Sequence, residues 1–74
     1  MKTPMLEIQH AAEPLVLHGR GAKYVASVGG FMTLRPIDDH DVAVRVPGRA
    51  TSLRMHAGES LAVTLAAGDI IEIL

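Results

Sequence analysis

The chain has 74 residues, of which 49% are hydrophobic and 20% are charged, and its formal net charge is −1. That length leaves room for one small domain, and that hydrophobic content excludes intrinsic disorder over most of the chain. The nearly balanced charge argues against a general electrostatic grip on nucleic acid or on an anionic membrane.

The turn-forming residues indicate the fold class. Glycine, proline and aspartate divide the chain at short, nearly even intervals, and the segments between them have the length of strands rather than helices. The predicted strands, in chain order, are residues 5–9, 15–18, 23–28, 31–37, 42–46, 52–56, 61–66 and 70–74. We therefore expect a single all-β domain over residues 1–74, a small antiparallel sandwich or barrel of about six to eight short strands. Residues 1–13 are weakly patterned, and 10–13 fit a loop or one helical turn.

Three connections or segments carry more specific signals. Gly29 and Gly30 can both adopt positive φ, which predicts a two-residue hairpin turn between the third and fourth strands. Residues 38–41 predict a four-residue hairpin connection between the fourth and fifth strands. Residues 59–67 fit either a strand or a short helix, and the β-branched residues within them favour the strand.

Three arginines fall on the polar faces of consecutive predicted strands. If those strands pair as neighbours, Arg35, Arg45 and Arg54 form a row across one sheet. Like charges opposite one another destabilise a sheet, so the row predicts an acidic partner, either Glu72 or carboxylates of another chain. Arginine also suits protein interfaces. The alternative is three solvated arginines, each with its own counter-charge.

The last predicted strand is apolar at nearly every position and needs cover on both faces. Its apolar residues join the three arginines as candidate interface residues: Ile70, Ile71, Ile73 and Leu74. The alternative is an intramolecular closing strand that is covered by the protein's own core.

The composition points to association. The chain has no cysteine, and its only aromatic residues are Tyr24 and Phe31. Domains of this size commonly depend on a disulfide, a metal or a partner for stability. With disulfides excluded, we expect the protein to bind copies of itself or a larger protein assembly.

The residues that carry chemistry do not form a motif. The four histidines, His10, His18, His40 and His56, show no spacing that places two ligands on one face. The segment 18–21 has two glycines around an arginine, but it lacks the lysine and helix of a phosphate-binding loop. We therefore assign no catalytic residue, metal ligand or cofactor, and expect a protein that is not an enzyme. An active site shared between subunits stays open.

Residues 29–74 resemble small accessory proteins of tailed-phage particles, of the capsid-decoration and spike-base type. The resemblance lies in the strand opened by Gly29-Gly30 and in the segments VAVRVPG (42–48), HAGESLAV (56–63) and AGDII (67–71). It implies a non-enzymatic, oligomeric structural role on a capsid or tail, and therefore a location in the virion.

Other interpretations remain open at this point. One is a small cupin-like β module that binds a ligand or metal through His18, His40 or His56. Another is a regulatory β-barrel of the toxin–antitoxin type that binds nucleic acid, although two aromatic residues leave little surface for stacking bases. The sequence shows no signal peptide or membrane-spanning segment, which predicts a cytoplasmic location if the chain is not part of a virion.

Overall fold

The computed structural model describes residues 3–10, 13–37 and 41–74. Within these ranges the chain forms eight strands: β1 (Met5–His10), β2 (Glu13–His18), β3 (Lys23–Val25), β4 (Gly30–Pro36), β5 (Val42–Arg45), β6 (Leu53–Met55), β7 (Leu61–Leu65) and β8 (Ile70–Ile73). The all-β fold class predicted from the sequence is confirmed. The described chain contains no helix with the length and hydropathy that crossing a lipid bilayer requires.

The strands form two antiparallel sheets of four strands each. The first sheet has the order β2-β1-β4-β7, and the second has the order β3-β8-β5-β6. Five connections lead from one sheet to the other, because β2 to β5 alternate between the sheets and so do β6 to β8. This alternation between facing sheets is typical of jelly-roll sandwiches.

Period-two alternation places the aliphatic side chains of both sheets in one core. Leu34 of β4 pairs in register with Ile8 of β1, and Val44 of β5 pairs with Ile73 of β8; all four are at most 1% exposed. The core cluster draws on both sheets and consists of Leu6, Ile8, Leu17, Ala26, Met32, Leu34, Val42, Val44, Val46, Met55, Leu65, Ile71 and Ile73. The two sheets therefore pack face to face around a single core.

Both hairpins predicted between consecutive strands are wrong. β3 belongs to the second sheet, β4 to the first and β5 to the second, so neither connection joins neighbouring strands. Gly29 and Gly30 are not among the glycines that adopt positive φ. At both places the chain instead crosses to the other sheet, so that each strand packs face to face with the sheet of the strand before it.

The N-terminal segment contributes to the core despite its weak pattern. β1 and β2 form a hairpin in which Leu6 pairs with Leu17, and Leu6 is fully buried. The strands run up to His10 and start again at Glu13, so these two residues are not in a helical turn. Residues 11 and 12 lie outside the described part of the chain.

A glycine turn recurs every ten residues in the second half of the chain. Gly48, Gly58 and Gly68 have φ values of 82°, 86° and 91°, a left-handed conformation that favours glycine. In the turn 56–59 the Glu59 N–H donates to the His56 carbonyl (3.0 Å), and the Glu59 carboxylate accepts the His56 N–H (2.6 Å). The turn 66–69 repeats both bonds. Each acidic side chain thus closes its own turn, and the next strand begins one or two residues later.

The segment for which a helix was an alternative is a strand. β7 covers Leu61–Leu65 and pairs with β4 over its whole length, from Gly30 opposite Leu65 to Leu34 opposite Leu61. The preference for a strand at residues 59–67 is therefore confirmed.

Candidate interaction surfaces

Four of the five large exposed hydrophobic side chains that the structure describes come from one end of the sandwich, where Val25 and Ile70 face outward from the second sheet and Phe31 faces outward from the first. This apolar end consists of Val25 (57% exposed), Val28 (57%), Phe31 (63%) and Ile70 (46%). Val25 and Ile70 are register partners where β3 ends and β8 begins. Phe31 is the second residue of β4 and pairs with Thr64 near the end of β7. Sequence reasoning named Ile70 as an interface candidate and missed the other three residues, because they belong to different elements of the two sheets.

The backbone of the apolar end is fixed by hydrogen bonds between two connections. Residues 26–29 join β3 to β4, and residues 66–69 join β7 to β8. The Ala26 N–H donates to the Asp69 carbonyl (2.9 Å), and the Gly68 N–H donates to the Ala26 carbonyl (2.8 Å). The Ala66 N–H donates to the Asp69 carboxylate (2.8 Å). The exposed side chains therefore stand on a preformed support, which lowers the entropic cost of binding.

A second feature is the open side of the sandwich, where β6 and β7 are the last strands of their sheets. A cleft of about 150 Å³ lies here; its apolar lining includes Leu53, Met55 and Leu61, and its charged lining includes Arg49, Arg54 and Glu59. Pockets for small organic ligands usually start at about 300 Å³. The cleft therefore has room for one side chain of another molecule rather than for a whole organic ligand.

The three arginines do not form the predicted row. Arg35 lies on the outer face of the first sheet, where it contacts Glu7 of β1 (Nη2–Oε1 2.7 Å). Arg45 and Arg54 lie on the outer face of the second sheet. Arg35 is separated from them because β4 and β5 belong to different sheets. The predicted row required a hairpin that makes β4 and β5 neighbours, and that hairpin does not form.

Each arginine has its own acidic neighbour. Besides the Arg35 pair, Arg45 contacts Glu72 (Nη1–Oε1 3.3 Å), one of the two kinds of acidic partner that the sequence offered for the row, and Arg54 lies 4.0 Å from Asp41. The arginine side chains are 59–68% exposed. Surface pairs of this kind stabilise by about 0–1 kcal/mol. This geometry agrees with the alternative to the row, in which each of the three arginines is solvated and has its own counter-charge.

The last strand is an inner strand of the fold. β8 lies between β3 and β5, and Ile71 and Ile73 are fully buried in the protein's own core. These two residues offer no surface to a partner, so their assignment to an interface is wrong and the intramolecular alternative is confirmed. Ile70 is exposed within the apolar end, so the protein's own core does not cover the strand at this position. Leu74 is half-buried, and its N–H donates to the Ala43 carbonyl (2.9 Å).

The histidines that the structure describes do not converge. His18 is exposed at the end of β2 in the first sheet, whereas His56 is exposed after β6 in the second sheet. His56 contacts Asp41 (Nδ1–Oδ2 3.0 Å), beside Arg54. Within residues 3–10, 13–37 and 41–74, no three metal-binding side chains form a group. The His10 side chain and His40 lie outside the described part.

Comparison with known proteins adds no relative. No protein-family description, curated protein or solved structure matches the chain.

Proposed function

We propose that the protein is a non-enzymatic structural module that binds other protein molecules, namely copies of itself and a larger assembly. The apolar end is the observation that carries this proposal. Exposed apolar side chains scattered singly need no explanation on a soluble domain, whereas adjacent ones mark interaction sites. Here Val25 and Ile70 are register partners, and Val28 and Phe31 lie in and directly after the connection 26–29 at the same end of the sandwich.

The energy available from the apolar end suits a specific contact. Complete burial of one Val, Ile or Phe side chain contributes roughly 1.5–3 kcal/mol. The side chains at this end are already about half buried, so the remaining gain per residue is smaller. Because several residues act together on a rigid support, their burial can outweigh the cost of association.

The setting we propose is an accessory position on a tailed-phage particle, as a capsid-decoration or tail-attachment protein. Two features support it. The segments 42–48, 56–63 and 67–71 resemble such proteins, and the last two contain the glycine and the acidic residue of the turns that an acidic side chain closes. A short-stranded sandwich with a preformed apolar end is also suited to repeated docking on an ordered lattice.

Light scattering after size exclusion tests the proposal. We expect wild-type protein to have a mass that is a multiple of 7.9 kDa at concentrations of about 0.1 mM and above. The double variant Val28→Ser with Phe31→Ser removes two side chains of the apolar end and should shift the mass towards smaller species. Circular dichroism confirms that the variants stay folded.

The matched control is Leu15→Ser. Leu15 is 43% exposed on β2, outside the apolar end, and we expect this variant to keep the wild-type mass. Wild-type protein that stays monomeric at every concentration contradicts self-association. A wild-type oligomer whose mass does not respond to the Val28 and Phe31 substitutions contradicts the role of the apolar end.

A further inference from the structure

The two sheets end in four edge strands, and three of them carry features that prevent pairing with another chain. β2 contains Pro14, which has no backbone N–H to donate. β3 and β6 are three residues long and contain Lys23 and Arg54, respectively. Short length, proline and charge are the usual means by which proteins protect sheet edges.

The fourth edge strand, β7, has none of these protections. It is five residues long, with the sequence Leu61-Ala62-Val63-Thr64-Leu65, and it contains neither a charge nor a proline. Its described partner is β4 on one side, and alternate backbone N–H and C=O groups of an antiparallel strand point away from that partner. β7 is therefore an edge that can accept another strand.

The side chains next to this edge also lack complete cover. Leu61 and Val63 of β7 and Leu53 of β6 are half-buried and pack against the outside of the core. The cleft between β6 and β7 lies beside them. A strand added to β7 would satisfy its backbone groups and cover these side chains at the same time.

We propose that β7 pairs antiparallel with β7 of a second copy about a two-fold axis at Val63. The first sheets of the two copies then form one continuous sheet. This inference rests on the proposed function, since it names the partner and the contact through which copies associate, separately from the apolar end.

The sequence of β7 is complementary to itself in this register. Val63 faces its counterpart, Leu61 faces Leu65 of the second copy, and both of these pairs lie on the core side. Ala62 faces Thr64 of the second copy on the outer face, where both residues are small and exposed. A two-fold contact repeats every pair twice, and a strand without charges brings no like charges together. These properties favour a second copy over a strand of another protein.

Charge substitutions on the outer face test the pairing without touching the core. In the double variant Ala62→Lys with Thr64→Lys, each lysine faces a lysine of the second copy. We expect the dissociation constant of the dimer to rise roughly tenfold or more. The oppositely charged variant, Ala62→Glu with Thr64→Glu, should also dissociate. A mixture of the two should form mixed dimers, identified by native mass spectrometry. Both variants are made in the Val28→Ser/Phe31→Ser background, so that the apolar end does not hold the copies together.

The matched control carries the same added charge on the protected edge. Val16→Lys with His18→Lys on β2 should leave the dimer intact, since Pro14 already blocks that edge. Circular dichroism and melting curves confirm that all variants stay folded. A dimer whose dissociation constant does not change with the β7 charges contradicts this inference alone. So do oppositely charged variants that form no mixed dimers. Association of the β7 edge with another protein in place of a second copy also contradicts it. A wild-type monomer contradicts the proposed function as well.

Discussion

β7 and β8 are consecutive strands of similar aliphatic composition, joined by the turn 66–69, yet they have different positions in the fold. β8 has a neighbour on each side, and Ile71 and Ile73 are fully buried. β7 has one neighbour in the described structure, and Leu61 and Val63 remain half-buried. Strands of similar aliphatic composition therefore differ in how far they are covered, and the one with a single described neighbour keeps a backbone edge and two half-buried side chains available for a contact.

Truncation of side chains in the two strands should separate these roles. We expect Ile73→Ala to lower the free energy of unfolding by about 2–5 kcal/mol, because it leaves a cavity in a closed core. Leu61→Ala should cost less, since its side chain is partly solvated in the monomer. Urea unfolding followed by circular dichroism gives both values, under dilute conditions where the protein is monomeric.

Ile70→Ala is the matched control for Ile73→Ala. It makes the same chemical change in the same strand, at a position that is 46% exposed. We expect it to cost less than Ile73→Ala because less apolar surface returns to water. If the Leu61 or Ile70 substitution lowered the free energy of unfolding as much as the Ile73 substitution, these side chains would be as well buried in solution as the core, which contradicts the comparison.

The sequence predicts the strands of this protein better than their neighbours. All eight predicted strands overlap an observed one, because period-two alternation and glycine turns are local properties. The predicted pairing of β3 with β4 through Gly29-Gly30 is wrong, because strands that are consecutive in the sequence are often, but not always, neighbours in a sheet. A short connection reaches either an adjacent strand or the facing sheet, and local residue patterns do not distinguish these outcomes.

The candidate surfaces follow the same division. Glu72 was predictable as an acidic neighbour of an arginine because it lies on the polar face of its strand, whereas its pairing with Arg45 depends on the position of β8 beside β5. The apolar end was not, since Val28 and Ile70 are far apart in the sequence and reach the same end of the sandwich only through crossings between the sheets. The ten-residue spacing of Gly48, Gly58 and Gly68 was the signal that marks regular turns, and it could have located the ends of the later strands.

The turn between β7 and β8 provides a second, smaller test of the comparison. Gly68 has φ of 91°, and a Cβ added there meets no atom within 4 Å. Gly68→Ala should therefore lower the free energy of unfolding by about 1–2 kcal/mol through backbone strain alone. Thermal unfolding measures the loss. Ala67→Ser is the control at the preceding exposed position, and an equal loss there would show that the φ angle is not the cause.

The smallest effect concerns the charges on the outer face of the second sheet, where β8 again differs from β7. Glu72 of β8 has Lys23 and Arg45 as register neighbours on its two sides, whereas β7 contains no charge. The Arg45 side chain is 63% exposed, so solvent screens its contact with Glu72. A double-mutant cycle of Arg45→Met and Glu72→Gln should give a coupling of about 0–1 kcal/mol that falls in high salt. A larger coupling that is insensitive to salt would mean that this face is covered in solution, and would place a partner on the second sheet instead of at the β7 edge.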